Sequence, residues 1–406
     1  MATDLEGAAD AGQDPRSQTK RAGAASTGSG PIEVREIPAG AKALNDFLLV
    51  AKDIYASDPS WVRPLDMEII ERLDKKKNPF FEHAEATAWV AYKGGRRVGR
   101  ITAQVDQAHL ERHKDGAGFF GYLDTIDDPE VARALLEEAA SWLKARGMKR
   151  MRGPFSLSIN EELGTLVEGF DTPPMVMMPH HLPYQGGLIE QAGLTKLKDF
   201  FAWTYDIGEV PPRAQKAHDE IAAMPEVTTR TLDTSRFLED VRILMSIFND
   251  AWSDNWGFVP ASENELLKMA KDMKLILMPE ITRISSINGE PAAVAFGVPN
   301  VNELIKDLDG QILPFGIAKL LWRLRVRGPK SGRLIILGIR KKWRHVRKYA
   351  GLSAYLYVQM NRSAHLLGMT TGELSWTLED NAPINVGIKL MGGRIYKKYR
   401  VYEREL

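Results

Sequence analysis

Apolar residues recur at three- and four-residue spacing over Ala43 to Tyr55 and again over Phe237 to Trp252. That period predicts an amphipathic helix at each place. A short β-type run precedes each helix, Val34-Arg35-Glu36-Ile37 in one case and Thr229-Arg230-Thr231-Leu232 in the other. Each helix then leads to a Trp and a Pro: Trp61-Val62-Arg63-Pro64 and Trp256-Gly257-Phe258-Val259-Pro260. Paired strands follow, Thr87 to Tyr92 and Val98 to Val105 around Gly94-Gly95, then Ile281 to Ile287 and Ala292 to Val298 around Asn288-Gly289. Gly-Gly and Asn-Gly tolerate the positive φ that a tight hairpin demands. The halves read as tandem copies of one plan, offset by about two hundred residues.

The second copy continues with a strand, Arg333 to Ile339, a basic loop into Lys348-Tyr349-Ala350-Gly351-Leu352-Ser353, and a helix from Ala354 to Leu367 that ends at Gly368. A strand from Glu373 to Leu378 comes next, then the turn Glu379-Asp380-Asn381, the pair Gly392-Gly393 and a closing strand from Arg394 to Tyr402. A helix N-terminus leaves backbone N–H groups unpaired and carries partial positive charge, so a Gly-containing loop entering one is an anion site suited to a pyrophosphate. The first copy has Gly121-Tyr122-Leu123-Asp124-Thr125-Ile126-Asp127-Asp128-Pro129-Glu130 at the equivalent place. Its carboxylates cap a helix well but repel phosphate. The expectation is that this copy has lost anion binding, and that its segment Arg152 to Phe170 closes one wall of a substrate cavity. Asn160 and Glu161 are candidates there for polar contacts or for capping a turn.

At 406 residues, 44% hydrophobic and 26% charged, the chain is a soluble globular type too long for one core. The division expected is a disordered tail over 1–31, a first domain over 32–207 and a second over 208–406. The tail, rich in Ala, Gly, Ser and Thr, has no apolar signal-peptide core, and no run is long enough to span a bilayer. Absence of cysteine excludes an acyl-cysteine intermediate, a thiolate zinc site and disulfides. His180-His181 lacks a spaced carboxylate or third His, so no metal is expected.

The order of strand, K-x-x-G-x-S loop, helix, strand and E-D-N turn resembles the GNAT superfamily of CoA-dependent N-acyltransferases. The usual loop there reads Q/R-x-x-G-x-G/A, from which Lys348 and Ser353 depart. With the stretches RGPFSLSINEELGTLVEGFDTPP, FNDAWSDNWGFVP, ILPFGIAKLLWRLR and ELSWTLEDN, residues 32–406 are similar to a bacterial GNAT-like family that includes the bacterial ceramide synthases. The resemblance implies an α/β (α+β) fold of tandem GNAT-like domains, each a mixed, mostly antiparallel sheet flanked by helices. It implies transfer from a long-chain acyl-CoA co-substrate to the amine of sphinganine or 3-oxosphinganine, with no permanently bound cofactor. The strand residues Leu337, Gly338 and Ile339 would hold the pantetheine arm, and Arg347, Lys348, Ala350, Gly351, Leu352 and Ser353 the phosphates.

Thioester aminolysis needs a free amine lone pair, a polarised carbonyl and a proton for the leaving thiolate. Strict alternation over Glu373 to Glu379 puts Glu373, Ser375, Thr377 and Glu379 on one face. Glu379, at the strand end, is the first candidate base and otherwise caps the next helix. Asn381 holds the turn or the substrate. The resemblance implies a Tyr acid in the helix after this turn; the stretch Asn385 to Met391 has none, and Tyr396 or Tyr399 would substitute. Asn249, Trp252, Asn255 and Trp256 combine aromatic walls with short amides, and Asn302 joins them as a substrate-binding candidate.

From Gly310 to Gly372 there is no Asp or Glu, although the chain holds 54 basic and 53 acidic residues. No nucleic-acid motif accompanies this basic span, so nucleic acid is set aside. Two anions suit it better, the phosphates of CoA and a membrane surface. Ile317, Leu320, Leu321 and Leu324 recur at helical spacing with Trp322, Lys319, Arg323, Arg325 and Arg327 among them, as in an interfacial helix or one docked on the protein's own core. The expected location is cytoplasmic, peripheral on the inner membrane. The competing readings are an aminoacyl-tRNA-dependent tandem transferase and a non-catalytic lipid- or partner-binding relative.

Overall fold

The computed structural model describes residues 30–38 and 44–406. The disordered tail expected over 1–31 lies outside them except for its last two residues. In the first half the chain forms β1 (Ile32–Glu36), α1 (Asn45–Tyr55), α2 (Asp66–Leu73), β2 (Ala84–Lys93), β3 (Arg96–Asp106), α3 (Gln107–His113), β4 (Ala117–Thr125), α4 (Pro129–Ala145), β5 (Arg150–Gly153), β6 (Thr165–Glu168), α5 (Gln185–Gln191) and β7 (Thr195–Asp206). The second half forms α6 (Pro212–Ala222), β8 (Val227–Arg230), α7 (Phe237–Trp252), α8 (Glu263–Met273), β9 (Thr282–Ile287), β10 (Glu290–Pro299), α9 (Asn302–Ile305), α10 (Gly316–Trp322), β11 (Ser331–Ile339), α11 (Lys341–Arg344), α12 (Leu352–Leu366), β12 (Thr371–Leu378), α13 (Ala382–Leu390) and β13 (Arg394–Glu405).

Both expected hairpins turn on left-handed residues, Gly94 and Gly95 at φ 58° and 77°, Asn288 and Gly289 at 52° and 80°. All the strands join one sheet in the order β1-β2-β3-β4-β5-β13-β7-β12-β11-β10-β9-β8, with β6 also on β13. Its pairs are antiparallel except β4 with β5 and β11 with β12. The repeat is visible in space, since β1-α1-α2-β2-β3-β4-α4-β5 is matched by β8-α7-α8-β9-β10-β11-α12-β12. The closing strands are exchanged: β13, from the second half, lies against β5, and β7, from the first, lies against β12.

Period-two alternation sends one set of strand residues to each face. On one face α4 packs Leu135, Leu136 and Ala139 against Trp89, Ile101 and Phe120, while α12 packs Leu352, Tyr355 and Leu356 against Leu334, Leu374 and Trp203. On the other, α1 covers Ala88 and Val90, and α7 covers Ile284, Val294 and Ile336. Helices α2 and α8 flank them there. A cavity is left between the halves on this second face.

Candidate active site

Strands β11 and β12 pair only from Ser331–Thr371 to Leu334–Leu374. Beyond Leu334 the edge of β11 that faced β12 has no strand partner, although its other edge stays paired with β10 as far as Ile339. The sheet therefore opens between two parting strands. Leu337, Gly338 and Ile339 line this opened edge, and Trp252 of α7 lies so close that a Cβ on Gly338 would meet it at 2.5 Å.

The chain leaves β11 through α11 and a short turn, in which the Ala350 N–H donates to the Arg347 carbonyl. No side chain caps α12, whose first turn begins at Gly351. Gly351 itself is explained by packing, since a Cβ there would stand 3.2 Å from the Ala217 carbonyl of α6. Lys348 pairs with Glu226, while Arg347 and Ala350 are exposed, Ser353 is half-buried and Leu352 is in the core. At the equivalent turn of the first half, the Asp128 carboxylate accepts from the Glu130 N–H and caps α4. That carboxylate is paired with Lys93 at 2.7 Å.

At the fork sits a buried polar group. Arg333 Nε donates to Ser375 Oγ at 2.7 Å and lies 3.4 Å from the Glu373 carboxylate. Ser375 and Tyr396 each donate their hydroxyl to Glu373, which is wholly buried. Burial, with the Glu373 charge beside it, pushes the Tyr396 phenol far above its ordinary range. Tyr399 is also buried and its hydroxyl makes no hydrogen bond. Arg333 Nη1 donates to the carbonyls of Val176 and Met177 at 2.7 and 3.1 Å, fastening the loop 174–181 over the fork. Lys397, buried and donating to the Gly169 and Thr172 carbonyls at 2.7 Å, anchors the stretch just before that loop, and burial pushes its ammonium down to about 8.

That loop is one wall of a cavity of about 490 Å³ between the halves, walled also by α1, α2, α8, the start of α9 and the segment 154–164. Methionines contribute much of its apolar surface, Met67 from α2, Met177 and Met178 from the loop, and Met269 and Met273 from α8. Arg72 of α2 pairs with Glu68 at 2.7 Å, Glu161 at 3.3 Å and Glu162 at 3.4 Å. Burial pushes the Glu161 carboxyl up to about 7. His180 donates or accepts through Nε2 to Asp58 at 2.7 Å, and burial lowers its basicity; His181 is pushed down to about 4 for the same reason.

The expected site residues scatter accordingly. Asn302 lines the cavity and donates to the Pro174 carbonyl at 3.0 Å. Asn160 and Glu161 line it too. Asn249, Trp252, Asn255 and Trp256 lie outside its wall: Trp256 packs against Phe200 of β7 with its ring tilted, the Asn255 N–H donates to the Trp252 carbonyl, and Asn249 Oδ1 is buried without a partner. Glu379 receives Lys196 Nζ at 2.7 Å and the Asp199 N–H at 3.0 Å, and Asn381 caps α13. Strict alternation along β12 fails, because its register against β7 shifts between Leu374 and Thr377. Thr377 turns to the face of Trp203, whose indole N–H it accepts, and only Glu373 and Ser375 stay with Arg333. Arg72 and Glu68 were missed; their i,i+4 spacing in DMEIIERL was the available signal. Among the described residues no group of three or more His, Cys, Asp or Glu is placed to hold a metal, and no helix is long and apolar enough to cross a membrane.

No protein-family model matches the chain. Among solved structures it is similar to a tandem GNAT protein from the clavulanic acid biosynthesis pathway, with a TM-score of 0.55 and 13% identity over 92% of this chain and 98% of that one. It is also similar to a GCN5-related N-acetyltransferase from Sphaerobacter thermophilus, with a TM-score of 0.52 and 11% identity over 93% and 97%. In sequence it is 44% identical over 366 residues to the bacterial ceramide synthase of Caulobacter vibrioides, covering 89% of this chain and 95% of that one. It is 40% identical over 365 residues to protein YghO of Escherichia coli, covering 89% and 93%. A sheet built from two repeats, with the parallel strands β11 and β12 parting in the second, defines the class: an acyl-CoA-dependent N-acyltransferase of the GNAT superfamily. Within it, the chain belongs to the bacterial ceramide synthase family.

Proposed function

We propose that the protein transfers a long-chain acyl group from acyl-CoA to the amine of sphinganine or 3-oxosphinganine. The observation that carries this reading is the fork itself. Leu334 and Leu374 pack with α12 while Arg333 bonds the carbonyls of Val176 and Met177, which line the cavity, so the fork lies between the α12 side and the cavity side of the sheet. In this reading the CoA phosphates rest at the open first turn of α12, with Arg347 and Lys348 beside them, and the pantetheine arm pairs with the free edge of Leu337 to Ile339. Backbone N–H groups of that edge polarise the thioester carbonyl. The amine attacks that carbon, a C–N bond forms, the C–S bond breaks and the thiolate leaves. Tyr399, at the fork, is offered as the group that protonates the thiolate. Glu379, the carboxylate offered for proton removal, is held by Lys196, and with Asn381 it fixes the turn after β12.

Peripheral contact with an anionic membrane belongs to the same reading, because the acceptor and the product are lipids. Around α10, Leu313 (66% exposed), Phe315 (81%), Trp322 (59%) and Val326 (67%) stand in solvent next to the exposed Arg325, Arg327 and Lys330. Apolar tips beside cations are what an anionic lipid surface recruits.

The test is incubation of the purified protein with palmitoyl-CoA and sphinganine, following free thiol and the lipid product by mass. Stoichiometric thiol and an N-palmitoyl amide are expected. Thiol release unaffected by omitting the long-chain amine, or an acyl group recovered only on another class of acceptor, overturns the reading.

A further inference from the structure

The charges of the cavity wall are unbalanced in one place. Four cations line it, and each has a carboxylate of its own: Arg63 with Asp66 at 2.9 Å, Arg72 with Glu68 at 2.7 Å, Arg100 with Asp124 at 2.7 Å and Lys268 with Asp272 at 2.7 Å. Glu161 and Glu162 are left over beside an Arg72 already paired. Glu161 Oε2 is buried and makes no hydrogen bond, its contact with Arg72 being an ion pair without hydrogen-bond geometry. Among the described residues the spot thus holds three carboxylates and one guanidinium, which leaves room for one or two further positive charges.

The rest of the cavity is apolar and has its own location. Val62, Ile305, Ile312 and Leu320 form one packed cluster, with Leu65 against it, and all of them line the cavity. Ile312 and Leu320 belong to the segment around α10 that exposes Leu313, Phe315 and Trp322 on its other side. The cavity wall therefore offers carboxylates that suit a cation and an apolar cluster that suits a hydrocarbon chain. The volume, about 490 Å³, is within the range of small-ligand sites.

The carboxylate end also adjoins the fork. Gly164, in the cavity wall, would bring a Cβ within 3.0 Å of the Tyr399 side chain, and Val176 and Met177 receive Arg333. We infer that this cavity between the halves binds the long-chain amine with its ammonium among Glu68, Glu161 and Glu162, and that Glu161 takes the proton. This rests on the acyl-transfer reading above. The ammonium gives one proton to the Glu161 carboxylate, and the freed lone pair attacks the thioester carbon. The C–S bond then breaks, Tyr399 gives its proton to the leaving thiolate, and the second amine proton restores the phenol. Glu161 returns its proton to water, so the sum is amide, free thiol and one released proton. The groups facing Glu161 are Arg72 and Glu68 of α2, Tyr122 of β4, Glu265 of α8 and its neighbour Glu162. Burial and the neighbouring carboxylates hold its carboxyl near 7, a useful value for a base at neutral pH.

The experiment compares wild type, Glu161→Gln, Glu161→Asp and Leu320→Trp across a pH series, with palmitoyl-CoA and sphinganine varied separately. Glu161→Gln is expected to lower kcat by roughly 100-fold, leave the KM for palmitoyl-CoA within about twofold, and erase the rise of activity through about pH 7, which Glu161→Asp partly restores. Leu320→Trp, filling the apolar end, raises the KM for sphinganine roughly tenfold and leaves that for palmitoyl-CoA alone. Full kcat in Glu161→Gln with an unchanged pH profile overturns the proton role, and an unchanged sphinganine KM in Leu320→Trp overturns the site. Calorimetric titration with dodecylamine reads binding without turnover: weaker binding by Glu161→Gln than by wild type is expected, and equal affinity overturns the inference. Failure of the acyl-transfer reading looks different, since wild type would then make no amide while dodecylamine still distinguished the variants.

Discussion

At the residue scale the costliest arrangement is the wholly buried Glu373, tolerable only because Arg333, Ser375 and Tyr396 surround it. Removing one partner of such a pair strands the other, whereas removing both relieves the desolvation cost. Arg333→Met is expected to lower the unfolding free energy by roughly 3–5 kcal/mol, and the double variant Arg333→Met/Glu373→Met to recover most of that. Urea denaturation of the four-protein cycle checks it; additive losses would mean that the pair is not coupled. In the sequence Arg333 was one cation in a span without acids. Its partner lies just past the end of that span, and only the parallel pairing of β11 with β12 sets them side by side. Glu161 was legible as a polar residue of the cavity wall, but its environment was not, because Arg72 and Glu68 come from a helix some ninety residues earlier.

At the scale of elements, α12 was legible nearly to its ends, and its N-terminal turn is where an anion site is proposed. A carboxylate placed in the first turn stabilises a helix by about 0.3–1 kcal/mol while opposing an incoming phosphate. Ser353→Glu is therefore expected to raise the KM for acyl-CoA roughly tenfold with thermal stability unchanged or slightly higher. A variant with normal KM places the phosphates elsewhere. Strand β12 shows the limit of pattern reading. Its period-two alternation predicted one polar face, yet the shift between Leu374 and Thr377 carries Thr377 across to Trp203, which no local preference of ELSWTL encodes. The segment around α10 combines both alternatives read from its spacing, since Leu320 and Leu324 dock on the protein's core while Phe315, Trp322 and Val326 remain outside.

For the whole molecule, the exchanged strands decide what holds the halves together. β13 completes the first half and β7 the second, so each half alone presents an unpaired edge, at β5 or at β12, and an edge of that kind templates aggregation. His83 adds a link, bonding to Asp106 at 2.9 Å and lying 3.5 Å from Glu265 of α8. These carboxylates raise it to about 10. Its contribution is full below the ordinary histidine value and is lost as pH rises through about 10. We propose the chain division 32–207 and 208–406 as two structural repeats that do not fold apart. Each, expressed alone, is expected to aggregate or to lack a cooperative transition, and co-expression to give a soluble pair; a cooperative melt for 208–406 alone defeats the idea.

The sequence by itself determined the repeat, the hairpins, the helices that frame the fork and the family, because those rest on local periods, turn residues and stretches of similar sequence. Tertiary structure alone decided which half completes which sheet, what surrounds Arg333 and Glu373, and that the polar residues of the first half meet in a cavity. Each of these joins residues far apart in the chain. Their pairing is set by how two twisted sheets fuse and by which buried charges find partners, and neither is written in any local pattern.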